Sequence, residues 1–379
     1  MPNKNPLRVI YVGSPELFSK GASAVHVMKM CQAMGRLGVE TELLLSSNHN
    51  EDELRRYYGV QNNFKIKKLP YFKNATLRNI THGVLASIST KSRRKDYDLV
   101  VTRNIVYAYL ASVYFRIPTV YDAHHPLVKG AGYLFKSFKD SKYLVRFSTN
   151  SGGLADIYIK EGLPREKLVI AHNGVDLENY SELPGTKEAR AQLGLPPDKK
   201  IVCYSGNIYE GRGIELLVES ALKLKDVLFL IVGGLESDVA RLRALADGKK
   251  ALNVKLTGFV PHASVPLYLA SADVLVMPYT PGVTIKGGAR AKDFTSPIKL
   301  FEYMAAAKPI VASSIPSVTE VLEDGGNALL VEPGNAESLI SGIQKALDDK
   351  VLAQTISQGA LRDVRMYTWE ERAGKLLDI

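Results

Sequence analysis

Lys299 and Glu302 stand three residues apart in the stretch Asp293-Phe-Thr-Ser-Pro-Ile-Lys-Leu-Phe-Glu-Tyr-Met-Ala-Ala-Ala-Lys-Pro-Ile-Val-Ala-Ser313. That spacing puts a cation and a carboxylate on one side of a helix. A cation in the first helical turn opposes the helix dipole by ~0.3–1 kcal/mol. Lys299 therefore either extends into solvent or shares an anion with the helix N-terminus. In the second case Glu302 is placed to accept hydrogen bonds from hydroxyls of whatever carries the anion. Gly287, Gly288, Arg290 and Lys292, just upstream, add flexibility and positive charge.

The helix itself is legible. Thr295 and Ser296 are cap-type residues, and Pro297 follows where a missing N–H costs nothing. Leu300, Phe301 and Met304 give an apolar face, and Lys308-Pro309 stops the helix before a strand at Pro309–Ala312.

A second candidate is Gly206-Asn-Ile-Tyr-Glu-Gly-Arg-Gly213, which follows a predicted strand and opens a helix. It approaches a phosphate-binding loop, but Arg212 stands where that motif has Lys. Gly213 stands where it needs a magnesium-ligating Ser or Thr. The dinucleotide fingerprint also fails, which disfavours both ATP hydrolysis and hydride transfer. What remains is either an ordinary turn or a loop presenting Arg212 to an anion.

Tyr121-Asp-Ala-His-His-Pro126 ends another predicted strand. Adjacent histidines on extended backbone point to opposite sides, so they are poor joint metal ligands, and at most one faces a ligand. His172-Asn-Gly-Val-Asp176 reads as a turn. No Gly-x-Ser-x-Gly motif is present, and neither Cys31 nor Cys203 has a nucleophile's setting.

These residues are carried by strands and helices that alternate throughout. In the first half the pattern predicts strands at Leu7–Val12, Glu40–Leu45, Lys65–Leu69, Asp98–Thr102, Pro118–His124, Val145–Thr149 and Leu168–Ala171. Helices are predicted near Ser23–Leu37, Thr76–Lys95, Ile105–Phe115 and Gly153–Lys160. The Pro- and Gly-rich segment Asp176–Lys200 is a junction. Six further predicted strands, from Ile201–Ser205 to Ala328–Val331, repeat the plan, and Met366–Ile379 is helical. The expected class is α/β, with two doubly wound parallel-sheet domains and a cleft where the carboxyl ends of the sheets face each other. The expected division is 1–180, 181–365 and a closing helix at 366–379.

Length and composition agree with two globular domains: 379 residues, 46% hydrophobic and 23% charged. Two cysteines suit a reducing cytoplasm. The N-terminus lacks a signal-peptide core, and no apolar run approaches a bilayer span. The net charge of +10 is lopsided, with 26 basic against 15 acidic residues in 1–180 and 23 against 24 in the remainder. Residues 54–95 hold eleven basic side chains and no acidic one, interleaved with Tyr57, Tyr58, Phe64, Tyr71 and Phe72. No nucleic-acid-binding signature accompanies them. An anionic membrane surface fits the mixture better, at roughly 1 kcal/mol per basic residue. The alternative is a solvated basic face.

Taken in order, the motifs resemble the family 4 retaining glycosyltransferases of GT-B fold. The resemblance runs through Gly21 and its helix, Val120-Tyr-Asp-Ala-His124, Asn173-Gly-Val-Asp176, Ser205-Gly-Asn207, Arg212-Gly213 and Leu230-Ile-Val-Gly-Gly234. It continues through Leu256-Thr-Gly-Phe-Val260, Ala272-Asp-Val-Leu-Val-Met-Pro278, Ser296 to Ala305 and Gly326-Asn-Ala-Leu-Leu-Val-Glu-Pro333.

The resemblance implies that the second domain holds a UDP- or GDP-sugar and the first supplies the site for a glycan or lipid-linked acceptor, in cell-envelope or exopolysaccharide synthesis. It implies donor contacts from Gly206, Asn207, Arg212, Phe259, Val260, Thr295, Ser296, Ile298, Lys299 and Glu302, with Phe259 and Val260 at the base and Glu302 on the ribose. Arg212 would neutralise the leaving diphosphate, with no metal or cofactor. His124 would lie near the transferred sugar, and Gly21 and Ala22 would form the loop approaching sugar and acceptor. Transfer would retain configuration, the departing phosphate oxygen taking the acceptor's proton.

Two departures stand out. The family's first Glu, eight residues before Glu302, is Phe294 here, with Asp293 adjacent. The loop's usual Arg and Lys pair is Asn207 and Arg212, leaving Lys299, Arg290 or Lys292 to compensate. A nucleotide-sugar epimerase and a non-catalytic, nucleotide-sugar-binding scaffold remain alternatives.

Overall fold

The computed structural model describes residues 6–19, 21–127, 130–209, 211–284 and 292–379. The chain divides into two compact units, Met1–Gly174 with Trp369–Ile379, and Val175–Thr368.

The first unit is built on seven strands: β1 (Arg8–Gly13), β2 (Glu40–Ser46), β3 (Lys65–Leu69), β4 (Leu99–Thr102), β5 (Thr119–Ala123), β6 (Leu144–Thr149) and β7 (Leu168–Ile170). Their order is β3-β2-β1-β4-β5-β6-β7, and every described pairing is parallel. The second unit has β8 (Lys200–Ser205), β9 (Val227–Val232), β10 (Val254–Gly258), β11 (Val274–Met277), β12 (Ile310–Ser313) and β13 (Leu329–Val331), ordered β10-β9-β8-β11-β12-β13 and also parallel. Both sheets are thus doubly wound, and the chain reverses its strand order at β1/β4 and at β8/β11.

The strands read as near-continuous apolar runs because helices cover both faces. In β8, Ile201 and Cys203 point into one core, while Val202 and Tyr204 point into the other. β9 alternates in the same way, with Leu230 and Val232 on one side and Phe229 and Ile231 on the other. The switch points are where ligands bind in such sheets, because flanking loops diverge there and leave an opening at the strands' carboxyl ends.

Five helices carry or support the residues singled out by the sequence: α1 (Ala22–Arg36), α2 (Ala75–Ser92), α3 (Ile214–Lys223), α4 (Ile298–Ala305) and α5 (Trp369–Leu377). The last packs on α1 within the first unit, with the Trp369 and His26 rings 5.3 Å apart.

Two local expectations need correction. Thr295 and Ser296 do not cap α4, which starts at Ile298 with Pro297 as its N-cap and no side-chain cap. Pro297 holds an extended ψ of 127°, so the helical turn begins only after it. The basic run 54–95 is also less of a surface than its composition suggests. Tyr58 and Phe64 are buried. Arg55 donates to the Gln61 and Phe64 carbonyls, and Arg93 makes a two-pronged pair with Glu42.

No described helix is long and apolar enough to cross a membrane. α2 nevertheless exposes Leu77, Ile80, Val84, Leu85 and Ile88 along its length.

Candidate active site

In the second unit the switch point is lined by two cations. β8 ends at Ser205, and the chain turns at Gly206 with a φ of +124°, a region closed to most side-chain-bearing residues. It then runs through Asn207 to Arg212 and enters α3 at Gly213. A Cβ on Gly213 would fall 1.6 Å from the Pro278 carbonyl oxygen. That is why this loop has glycine where a phosphate-binding loop carries a hydroxyl.

The Arg212 guanidinium lies 4.8 Å from the centre of the Tyr279 ring. Lys299, on the first turn of α4, does not extend into solvent. Its Nζ sits 3.7 Å from the Tyr204 ring centre and 5.7 Å from that of Tyr279. Ring quadrupoles attract cations, so the two tyrosines hold both charges in place. α4 is itself fixed to β8, since the Ser205 amide donates to the Tyr303 hydroxyl at 2.7 Å.

Among the described residues no carboxylate forms a salt bridge with either side chain, and Glu302 acts on Lys299 only as a nearby negative charge. Arg212 Nε and Lys299 Nζ are buried without a hydrogen-bond partner. Burial, and then the charge of Arg212, push the Lys299 amine well below its usual range. α4 also has no acidic residue in its first turn. The arrangement is costly when empty and favourable around an anion.

Glu302 is buried, and its Oε1 lies 2.6 Å from Nε2 of His262, which follows β10. His262 was not legible as its partner, because 40 residues separate them. Phe259 is 45% exposed, while Val260 packs on the core. Ser296 is buried, and the Thr295 hydroxyl donates to the Ser317 hydroxyl at 3.3 Å. Tyr204 donates to the Asn207 carbonyl at 2.6 Å, which shapes the loop. Phe294 is buried. Asp293 is exposed, 4.0 Å from Lys292. Gly287, Gly288 and Arg290 lie outside the described residues.

The first unit has its own pocket of about 330 Å³ at the β1/β4 switch point. The end of β5 and the residues after β1, β4 and β5 line it, including Arg103, Asp122, His124 and His125. Both histidines reach it, against the expectation of one, because β5 ends at Ala123 and strand alternation no longer applies beyond it. Gly21 is the uncapped N-cap of α1 and Ala22 its first residue. Ser23, next in sequence, lines the pocket.

Beneath the pocket lies a buried quartet that the sequence did not reveal. Arg372 of α5 donates to Asp122 Oδ1 at 2.6 Å and to His26 Nε2 at 3.1 Å. His124 Nε2 is 3.0 Å from Asp122 Oδ2, and the His26 and His124 rings meet edge to face at 4.3 Å. Burial pushes His124 down to about 3 and His26 well below its usual value, so both rings are neutral. Burial alone would raise the Asp122 carboxyl, but Arg372 and the histidines hold it well below the carboxylate range.

His124 Nε2 also lies 3.2 Å from Arg372 Nη2; in the tautomer that donates Nε2–H to Asp122, Nδ1 is left as an acceptor. His26, Asp122 and His124 are close enough together to suggest a metal site. The Arg372 guanidinium already bonds Asp122 and His26 and puts a fixed positive charge among the would-be ligands, so these residues do not fit a cation. Both cysteines are buried, which raises the Cys203 thiol to about 12 and Cys31 further.

Comparison with known proteins divides along the same two units. Residues 23–179 match the family model described as Glycosyltransferase Family 4, and residues 185–363 match Glycosyl transferases group 1. WcaI of Escherichia coli K12, whose name assigns it to colanic acid biosynthesis as a glycosyl transferase, is 30% identical over 207 residues, covering 53% of this chain and 49% of its own. The uncharacterized glycosyltransferase MJ1069 of Methanocaldococcus jannaschii is 24% identical over 349 residues, covering 85% of this chain and 82% of its own. The match spans about half the length of several curated relatives.

Among solved structures, a glycosyltransferase from Rickettsia africae superposes with a TM-score of 0.78 at 17% identity, over 99% of this chain and 98% of that one. Anabaena Alr3699/HepE, solved in complex with UDP-glucose, superposes with a TM-score of 0.75 at 18% identity, over 98% of each chain. The fold is GT-B.

Proposed function

The chain belongs to the family 4, group 1 glycosyltransferases of GT-B fold, and on that premise we propose that it moves a hexose from a UDP- or GDP-sugar to a glycan or lipid-linked acceptor with retention of configuration. The second unit binds the donor and the first the acceptor, in envelope or exopolysaccharide assembly on the cytoplasmic side of a membrane. The observation that carries this reading is the pair Arg212 and Lys299, whose Nε and Nζ atoms are buried without a hydrogen-bond partner and which form no salt bridge among the described residues. A diphosphate supplies the missing charge. The UDP-glucose complex of Alr3699/HepE, which shares the fold, supports a nucleotide-sugar donor.

On this reading the diphosphate lies against Gly206, Asn207, Arg212, Lys299 and the open amides of α4 from Ile298, with Thr295 and Ser296 alongside. Glu302, steadied by His262, accepts hydrogen bonds from the ribose hydroxyls. Phe259 and Val260 meet the base. The acceptor oxygen bonds to the anomeric carbon on the face that the phosphate leaves, and the departing phosphate oxygen takes the acceptor's proton. Glycoside and nucleoside diphosphate are the products. Arg212 and Lys299 stabilise the charge growing on the leaving group, an effect often worth several kcal/mol of barrier. Fixed cations thus do what a divalent metal does elsewhere. His124 offers Nδ1 to a sugar hydroxyl, beside the Gly21–Ala22 turn.

The test is a screen of UDP-, GDP- and ADP-sugars by thermal shift, then nucleotide release with candidate acceptors in EDTA and proton NMR of the new anomeric centre. Stabilisation by a UDP- or GDP-sugar and an α-glycoside from an α-donor are expected. Isomerised donor without acceptor would instead indicate an epimerase. Binding without any turnover would indicate a scaffold.

A further inference from the structure

The pocket of the first unit carries charge that the transfer chemistry does not use. Four charged side chains line it: Glu16, Arg78, Arg103 and Asp122. Asp122 is committed to Arg372 at 2.6 Å, and Glu16 is exposed.

Arg78 is only 5% exposed. Its Nε and Nη1 donate to the Ser14, Phe72 and Lys73 carbonyls and the Tyr71 hydroxyl at 3.2–3.5 Å, and its guanidinium stands 5.4 Å from the Tyr71 ring centre. All of these partners are neutral. The bonds use Nε and Nη1 and leave Nη2 unassigned.

Arg103 is held more loosely. Its Nη1 makes long contacts of 3.4–3.5 Å to the Ser23 carbonyl and hydroxyl and to His26 Nδ1. A neutral imidazole accepts at one nitrogen only, and Arg372 already donates to Nε2 of His26. With Nδ1 protonated, Arg103 keeps only the two long contacts to Ser23.

Two permanent cations in one pocket, one of them buried and neither paired with a carboxylate among the described residues, form a receptor for an oxyanion. Guanidinium forks bind phosphate and carboxylate strongly and in defined orientation. The volume is at the lower end of the ~300–1,000 Å³ typical of small-molecule sites. Since Arg212 and Lys299 serve the donor's diphosphate, this second pair addresses a different molecule. We propose that the acceptor is anionic, a phosphate- or carboxylate-bearing polyol or sugar whose charged group is bound by Arg78 and Arg103. The proposal rests on the transferase reading only for the word acceptor; the oxyanion site stands on its own geometry.

Three probes of one carbon skeleton test it on the full chain by calorimetry: sn-glycerol 3-phosphate, D-glycerate and glycerol. Binding of one or both anions, and none of neutral glycerol, is expected, and the stronger anion identifies phosphate or carboxylate as the recognised group. Arg103→Met, at a half-exposed residue, should weaken that binding at least tenfold. Arg78→Lys, which keeps the charge but loses the fork, should weaken it severalfold, whereas Lys299→Met should leave it unchanged.

Binding lost in Lys299→Met but kept in Arg103→Met would place the anion at the nucleotide site and overturn the proposal. Equal binding of glycerol would overturn it as well. An Arg103-dependent anion site in a chain that releases no nucleotide would sink the transferase reading alone. Transfer to a neutral glycan at a rate untouched by Arg103→Met would sink the anionic acceptor alone.

Discussion

A methyl group on Gly206 would come within 2.7 Å of the Lys299 Nζ, so the glycine vacates the space that the ammonium occupies beside Tyr204. Burial beside Arg212 drives the Lys299 amine towards its neutral form in the empty protein, and a bound diphosphate favours the charged form. Lys299→Met should therefore leave the melting temperature of the free protein unchanged or raised. It should weaken UDP or GDP binding ~10–100-fold, the range expected for a charge-assisted hydrogen bond. Gly206→Ala should weaken the same binding, because a φ of +124° resists a side chain and the ammonium is displaced. Calorimetry with each nucleotide checks both. Tight binding in Lys299→Met would remove the diphosphate from this place.

Glu302 and His262 offer a separate check on the ribose end. The 2.6 Å contact fixes one carboxylate oxygen and leaves the other for a ligand. Glu302→Gln should cost nucleoside diphosphate affinity ~10-fold or more, and His262→Ala less, about 3–10-fold, since it loosens the carboxylate without removing it. A deoxyribonucleotide series locates the effect. Each variant should discriminate less than the wild type between ribo- and 2′,3′-dideoxyribonucleotide.

The quartet around Asp122 ties α5 to the first unit's sheet. Removing one partner of a buried ion pair leaves the other charged and unpaired, at a cost of ~3–5 kcal/mol. Arg372→Leu should destabilise by about that amount in urea denaturation, and adding Asp122→Asn should recover part of the loss. A double variant no more stable than Arg372→Leu would show that packing around Trp369, and not charge, fastens the helix.

The plan of both units was readable because parallel strands buried on two faces leave long β-branched runs, and the runs come in sequence order. Arg212 and Lys299 were readable as cations in unusual places, each at the start of a helix. Their cradle was not. Tyr204 and Tyr279 reach them from two different strand ends, and no local period marks an aromatic as a cation's seat.

Arg372 lies 250 residues from Asp122 and 346 from His26, and it sits on a short amphipathic helix where an arginine reads as solvated. Arg78 looked like one of eleven basic residues in a run. Only the packing of α2 against the loop after β1 shows that it is buried. α4 starts later than its cap-type residues Thr295 and Ser296 suggest, because Pro297 keeps extended backbone as the cap.

Acid should unfold the protein from within. His26, His124 and His82 are buried and neutral, with His82 pushed down to about 4 and His124 to about 3 by burial. Each histidine in the unfolded chain titrates near ~6.5. Between that value and the folded value the unfolded state binds more protons, so stability falls as pH drops below ~6.5 and is fully present above it. His82 makes no hydrogen bond of good geometry through either ring nitrogen and has only a weak backbone contact to Leu44, so His82→Leu removes a titrating group at little cost in bonding. It should flatten the fall in melting temperature between about pH 7 and pH 4.5. An unchanged slope would assign the acid sensitivity to the Asp122 quartet alone.

The outer face of α2 carries the proposal of an anionic membrane partner. Leu77, Ile80, Val84 and Ile88 recur at helical spacing and are 39–56% exposed, while Lys73, Lys91, Arg94 and Lys95 around them are exposed and basic. An apolar stripe flanked by lysine and arginine lies in a lipid interface by burying the stripe and pairing the flanks with headgroup phosphates. The full chain should co-sediment with vesicles containing anionic lipid, more weakly as salt is raised, and not with neutral vesicles. Replacing Ile80, Val84 and Ile88 by Ser should lower binding at every salt concentration. Replacing Lys65, Lys67, Lys68, Arg94 and Lys95 by Gln should abolish the salt dependence. Arg93 is left intact because it holds Glu42. Vesicle binding unchanged by both sets would leave α2 an ordinary solvated helix.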